Sequence, residues 1–226
     1  MKTLVGRFDE ASAVAPLAGL MKTAKALVFD FDGTLVDSNP IKWRAFEVCF
    51  AEFHEGIPQI LAYCRAHHAI PRWDKFRYIY EQILHLPYTP QIEAGLHQRF
   101  EAATTEQIVR APEIPGAGRA LQRLKARHTM GLLSNTPHDT LCHILRRRGW
   151  ERWFTLVQGA PVEKAAWLGD LPRRYGWQPQ QVVMFGDTLE DAAAAASAGC
   201  PFIAVGAGEA TATAAYAIAD FASLTW

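Results

Sequence analysis

Five short apolar runs constrain the fold of this chain more than any other feature. They are Ala26 to Phe29, Met130 to Leu133, Thr155 to Val157, Val182 to Phe185 and Phe202 to Val205. Each has strand length, and the intervals between the later ones carry helical spacing, as in Ala120, Leu121 and Leu124. Alternating strands and helices imply a parallel sheet covered on both faces, an α/β fold. Helix punctuation agrees: Arg146, Arg147 and Arg148 crowd a last turn before Gly149, suiting the helix dipole and a left-handed cap. Thr188 and Asp191 have capping-box spacing ahead of the run Ala192 to Ala196, whose small side chains imply close packing on the sheet. Pro172 predicts a broken or kinked helix after Lys164.

Between Asp37 and Glu113 no strand is legible. Aromatic residues recur there at helical spacing, as in Trp43, Phe46 and Phe50 or Phe76, Tyr80 and Ile83. We therefore expect a Rossmann-like core made of residues 25–36 and 114–226, with an all-α cap of residues 37–113 inserted into it. Breaker residues flank the insert, Asp37-Ser38-Asn39-Pro40 and Pro112-Glu113-Ile114-Pro115-Gly116, as expected of two hinges that let a cap close over a site. Residues 1–24 read as an N-terminal extension, and the Met-Lys-Thr at Met21 is where the compact domain is expected to begin, with a docked N-terminal helix as the alternative. Cap aromatics, Trp73 among them, are expected mainly in the helix core. Lys75 and Arg77 are the cap residues best placed to select an anionic group.

Lys plus Arg equals Asp plus Glu at 23 each, so no global field draws the chain to nucleic acid or an anionic membrane. No apolar run reaches the roughly 18 residues of a membrane span, and Asp9 and Glu10 interrupt any leader-like stretch, so a cytoplasmic location is expected. Cys49, Cys64, Cys142 and Cys200 lie far apart and read as buried free thiols. His67 and His68 are adjacent, diverge by about 100° on a helix, and do not share a metal. The sequence leaves oligomeric state open.

The polar residues that follow the apolar runs carry the chemistry. Asp30 follows the first run, Ser134 and Asn135 the second, and Asp187 the fourth after Gly186. In an open parallel sheet, ligands bind outside the carboxyl ends of the strands, so these residues converge on one crevice. Asp30, Asp32 and Asp187 would raise one another's pKa there unless a cation compensated them. An all-oxygen site of this kind favours Mg²⁺, with Asp30 and Asp187 as side-chain ligands beside a substrate phosphate and Asp32 left for other work. Asp30 can attack phosphorus, and Asp32 can protonate the leaving oxygen and then activate water. Gly33, Thr34, Ser134 and Asn135 can donate hydrogen bonds to phosphate, and Lys164 can supply a fixed cation. An EF-hand is excluded because Gly33 arrives two positions too early, and Gly206-Ala207-Gly208 is too incomplete for a dinucleotide fingerprint.

Asp30-Phe31-Asp32-Gly33-Thr34, the serine of Leu132-Leu133-Ser134-Asn135-Thr136, Lys164, and Gly186-Asp187-Thr188-Leu189-Glu190-Asp191 together resemble the four motifs of the haloacid dehalogenase superfamily. The resemblance runs from about Lys25 to Asp220, with the helical insert where phosphoglycolate-phosphatase-like members carry their cap. It implies a Mg²⁺-dependent hydrolase of small-molecule phosphate esters working through an aspartyl-phosphate. The catalytic residues would be Asp30, Asp32 and Lys164, and the metal set Asp30, Asp32, Asp187 and Asp191. Asp191 is equally a helix cap, and Ala165 and Ala166 stand where many relatives follow the lysine with proline. Dehalogenases of this superfamily lack the second aspartate, so Asp32 favours a phosphatase. A phosphomutase, or a non-catalytic binding module that keeps the fold, remains the alternative.

Overall fold

The computed structural model describes residues 10–67, 70–222 and 224. The expectations on residues 1–9 and on His68 lie outside the described residues. The chain divides into two compact units: one comprises the residues through Asp37 together with those from Glu113 on, and the other is Ser38–Pro112.

The first unit is built on a six-stranded parallel sheet, β1 (Ala26–Phe29), β2 (Thr129–Pro137), β3 (Leu156–Ala160), β4 (Val182–Gly186), β5 (Phe202–Val205) and β6 (Tyr216–Ile218), in the order β3-β2-β1-β4-β5-β6. The five expected strands are present, and β6 is an addition. Its three residues, Tyr-Ala-Ile, are too few for a periodic pattern to register. Chain order runs outward from β1 to β3, then returns to the other side of β1 at β4. This is the topological switch point at which doubly wound sheets bind ligands.

β1 is buried along its length, so it needs apolar residues at every position. Ala26 and Val28 face one side with Val182, Met184, Leu168, Leu171, Ala194 and Ala195. Phe29 faces the other, stacked on Phe185 at 4.7 Å between centroids, with Phe221 alongside. α8 (Lys164–Tyr175) and α9 (Leu189–Ser197) cover the first side, where the alanines let α9 approach closely. α8 runs unbroken through Pro172, contrary to the expected break. The proline sits in the last turn, and its carbonyl accepts from Trp177 N in the helix's left-handed C-cap at Gly176. α6 (Ala117–Leu124) precedes β2, and α7 (His138–Arg148) ends as expected on Gly149 in the left-handed region. An N-terminal helix, α1 (Glu10–Thr23), precedes β1, with Met21 and Ala24 buried.

The second unit is helical: α2 (Asn39–Cys49), α3 (Ile57–Ala66), α4 (Arg72–Tyr78), a π-helical turn at Ile79–Ile83, and α5 (Pro90–Arg110). Its core joins Phe46, Cys49, Phe50, Ile60, Cys64, Phe76, Tyr80, Leu96 and Phe100, with edge-on aromatic pairs such as Phe46–Phe100. Trp43, by contrast, is exposed. Lys75 is buried in this unit with its ammonium over the Phe46 ring, while Arg77 is exposed. The four cysteines are free thiols, three of them buried and Cys142 only half-buried. No described helix is long and apolar enough to cross a membrane.

Candidate active site

Register aligns the ends of the three central strands. Phe29 lies opposite Leu132 on one side and Phe185 on the other, and Asp30 N donates to Phe185 O at 2.8 Å. Asp30 just after β1 and Asp187 just after β4 therefore emerge beside Ser134, which lies within the carboxyl end of β2 and not after it as expected. The loop after β1 folds back on itself: Gly33, at φ 85°, donates its N–H to Val36 O, and Leu35 N and Val36 N both donate to Phe31 O. A positive φ at that position calls for glycine.

Lys164, at the start of α8, is buried and bridges two buried acids, with Nζ 2.8 Å from Asp30 Oδ1 and 2.7 Å from Asp191 Oδ1. Burial works against its ammonium, but Asp191 and Asp30 outweigh that and hold its pKa above the ordinary lysine range. Asp191 is both this anchor and the helix cap. Its Oδ2 accepts from Thr188 N and Oγ1, and its own N–H returns a bond to Thr188 Oγ1. It also packs against Gly186, where an added Cβ would lie 2.5 Å from Asp191 Cβ. Only a residue without a side chain lets the end of β4 pass that close.

Oxygens of Asp30, Asp187 and Asp191 all lie within 4.8 Å of one another, a carboxylate group able to hold a metal ion. The charges are under-compensated. Burial, and then the neighbouring acids, raise Asp30 well above the carboxylate range against the pull of Lys164. Burial and Asp191 push Asp187 up to about 6, although Thr34 Oγ1 donates to its Oδ1 at 3.0 Å.

The end of β2 supplies the remaining polar groups. Ser134 pairs with Gly159 and Pro137 with Ala160, so Asn135 and Thr136 are extra residues in a bulge. Alternation sends Ser134 and Thr136 one way and Asn135 the other. Ser134 Oγ and Thr136 Oγ1 donate to Asp32 Oδ2 at 3.3 and 2.8 Å, and Asn135 Nδ2 donates to both carboxylate oxygens of Glu190.

The structure thus brings Asp30, Asp32, Lys164, Ser134, Asn135, Asp187 and Asp191 to one edge of the sheet, each engaged with a partner. Gly33's amide serves the loop and Thr34's hydroxyl serves Asp187, where both were expected to donate to phosphate. The carboxylate group able to hold a metal contains Asp187 and Asp191 alongside Asp30, while the Asp32 side chain is taken up by Ser134 and Thr136. Two participants escape sequence reasoning, Thr136 and Glu190, whereas the Thr188–Asp191 capping box is present as expected. The alternation of Ser-Asn-Thr after a strand is the one pattern that could have exposed the first.

The doubly wound sheet thus carries buried acids and a buried lysine at its switch point. Residues 24–199 match the model of the haloacid dehalogenase-like hydrolases. The chain is 30% identical over 185 residues to a phosphoglycolate phosphatase of Synechococcus elongatus, covering 80% of this chain and 83% of that one. It is 24% identical over 183 residues to a phosphorylated carbohydrates phosphatase of Thermotoga maritima, covering 77% and 82%. A haloacid dehalogenase-like hydrolase from Streptococcus pneumoniae shares the fold, with a TM-score of 0.67 at 20% identity over 87% of this chain and 94% of that one. The chain belongs to the haloacid dehalogenase-like hydrolase family.

Proposed function

We propose that this protein is a Mg²⁺-dependent phosphomonoester hydrolase that acts on a small phosphorylated metabolite through an aspartyl-phosphate on Asp30. The supporting observation is the buried Asp30–Lys164–Asp191 bridge, with Asp187 and Asp32 beside it, at the carboxyl edge of the sheet. On this reading residues 37–113 are the cap inserted into the catalytic core. The curated relatives act on phosphoglycolate and on phosphorylated carbohydrates by name, so phosphoglycolate is the first ester to test and sugar phosphates the next.

The residues fit a magnesium ion. The donors are all carboxylate oxygens, and Lys164 contacts only Asp30 and Asp191 of the three acids. Asp30 and Asp187 would hold it, with Asp191 behind them tying Lys164 and Thr188 in place. Bound there, the ion supplies charge neutralisation to an incoming phosphate.

The chain's own residues then divide the reaction. Lys164 holds Asp30 through Oδ1 and keeps its carboxylate oriented. Asp30 attacks phosphorus as the ester oxygen leaves, and Asp32 gives that oxygen a proton. Asp32 next takes a proton from water, which attacks the aspartyl-phosphate, releases inorganic phosphate and restores Asp30.

Release of inorganic phosphate from para-nitrophenyl phosphate and phosphoglycolate in the presence of Mg²⁺ tests the reading. Asp30→Asn should abolish it while the protein stays folded, and EDTA should silence the wild type. Full activity in Asp30→Asn would remove the nucleophile. With a sugar monophosphate and a bisphosphate activator, isomerised product without phosphate release would identify a mutase instead.

A further inference from the structure

Thr136 has no part in the reaction as assigned above, yet its hydroxyl makes the shorter of the two bonds to Asp32. We propose that Thr136 is a positioning residue: with Ser134 it pins Oδ2 of Asp32, so that the proton Asp32 exchanges with the substrate is carried on Oδ1. The proposal rests on the hydrolase reading above.

Thr136 N donates to Ser134 Oγ at 3.1 Å, which turns the Ser134 hydrogen towards Asp32, and Thr136 Oγ1 donates to the same carboxylate oxygen at 2.8 Å. All three side chains are buried. Two donated hydrogens stabilise negative charge on Oδ2 and make it the poorer site for a proton. The bulge is what permits this, since it carries Thr136 past the regular pairing with β3. β3 in turn holds the bulge in place. A Cβ on Gly159 would lie 2.5 Å from Thr136 O and 2.6 Å from His138 Cα, and Gly159 N donates to His138 Nδ1. In the forward step the Asp30–phosphorus bond forms as the phosphorus–ester oxygen bond breaks, and the Oδ1 proton passes to the departing alkoxide. In the second step Oδ1 takes the proton of the attacking water.

The test compares para-nitrophenyl phosphate, whose phenolate leaves without a proton, with para-nitrobenzyl phosphate, whose alkoxide needs one. The ratio kcat/KM reports the first chemical step. Thr136→Val should lower kcat/KM for the benzyl ester on the order of 10²-fold, and far less for the phenyl ester. Thr136→Ser, which keeps the hydroxyl, should restore both. Equal losses on the two esters, or no recovery with serine, would overturn the role of Thr136. If valine leaves the protein unfolded by circular dichroism, Thr136→Ala carries the same comparison. The hydrolase reading fails separately: wild type would then release phosphate from neither ester, or Asp32→Asn would leave both turnovers unchanged.

Discussion

Replacing Lys164 by Met removes a charge but keeps most of the side-chain volume, and its consequences can be worked out from the bridge. Asp30 and Asp191 are both buried, so the variant strands two carboxylates against which no ammonium is placed. Breaking a buried pair on one side costs about 3–5 kcal/mol. The stranded acids can recover part of this by taking up protons. Burial already raises Asp30, so its folded pKa in the variant lies above the unfolded one, the folded variant binds more protons than the unfolded chain, and its stability falls as pH rises. Each pH unit is worth about 1.4 kcal/mol per proton, so the penalty should grow by about that much for every unit pH rises between the unfolded carboxylate value and the raised folded one. Melting curves in EDTA, with wild type run beside the variant at each pH, read this directly. For a chain of this length the difference in Tm should reach about 6–20 °C at the alkaline end and shrink to a few degrees at the acid end. A difference below about 2 °C, or one that does not change with pH, would refute the claim that Lys164 compensates these acids.

Gly186→Ala should destabilise by about 1–3 kcal/mol and lower turnover, because the new Cβ meets Asp191 at 2.5–2.7 Å and Asp191 is held by Lys164 and Thr188. The control is Gly169→Ala in α8, where nothing lies within 4 Å of the new Cβ; it should stabilise by about 0.5–1 kcal/mol in the same denaturant titration. His97 is held below its ordinary 6.5 by burial first and then by Arg72, so its neutral form is favoured in the fold. That contribution is complete above 6.5 and is lost as pH falls below it, so the stability margin of wild type over His97→Gln should narrow on acidification, and a margin that widens would reverse the sign.

The sheet was legible because its strands are buried on both faces and so must be apolar throughout, which leaves runs such as Ala26–Phe29 standing out between amphipathic helices. Residues 30, 134 and 187 were legible as a group because parallel register brings carboxyl ends together whatever the loops do. β6 was not, since a three-residue strand offers no periodicity. The fate of Pro172 was not either, because a proline's effect depends on where in the helix it falls, and here that is the final turn.

Partner choice at the site was the least legible part, for an electrostatic reason. A chain with balanced charge still places Asp30, Asp32, Asp187 and Asp191 at one sheet edge, with Lys164 touching two of them. The acids must draw on neutral donors, and they do: Thr34 gives its hydrogen to Asp187, Ser134 and Thr136 to Asp32, and Thr188 to Asp191. The hydroxyls of Thr34 and Ser134, which the sequence offers as phosphate contacts, also donate to carboxylates here. Four acids stand at this edge and the lysine touches two of them, so an anion bound there should bring positive charge with it. Phosphate affinity should therefore depend steeply on Mg²⁺, and it can be measured with inorganic phosphate by calorimetry. Equal affinity with and without the ion would mean that the hydroxyls, not the cation, receive the anion.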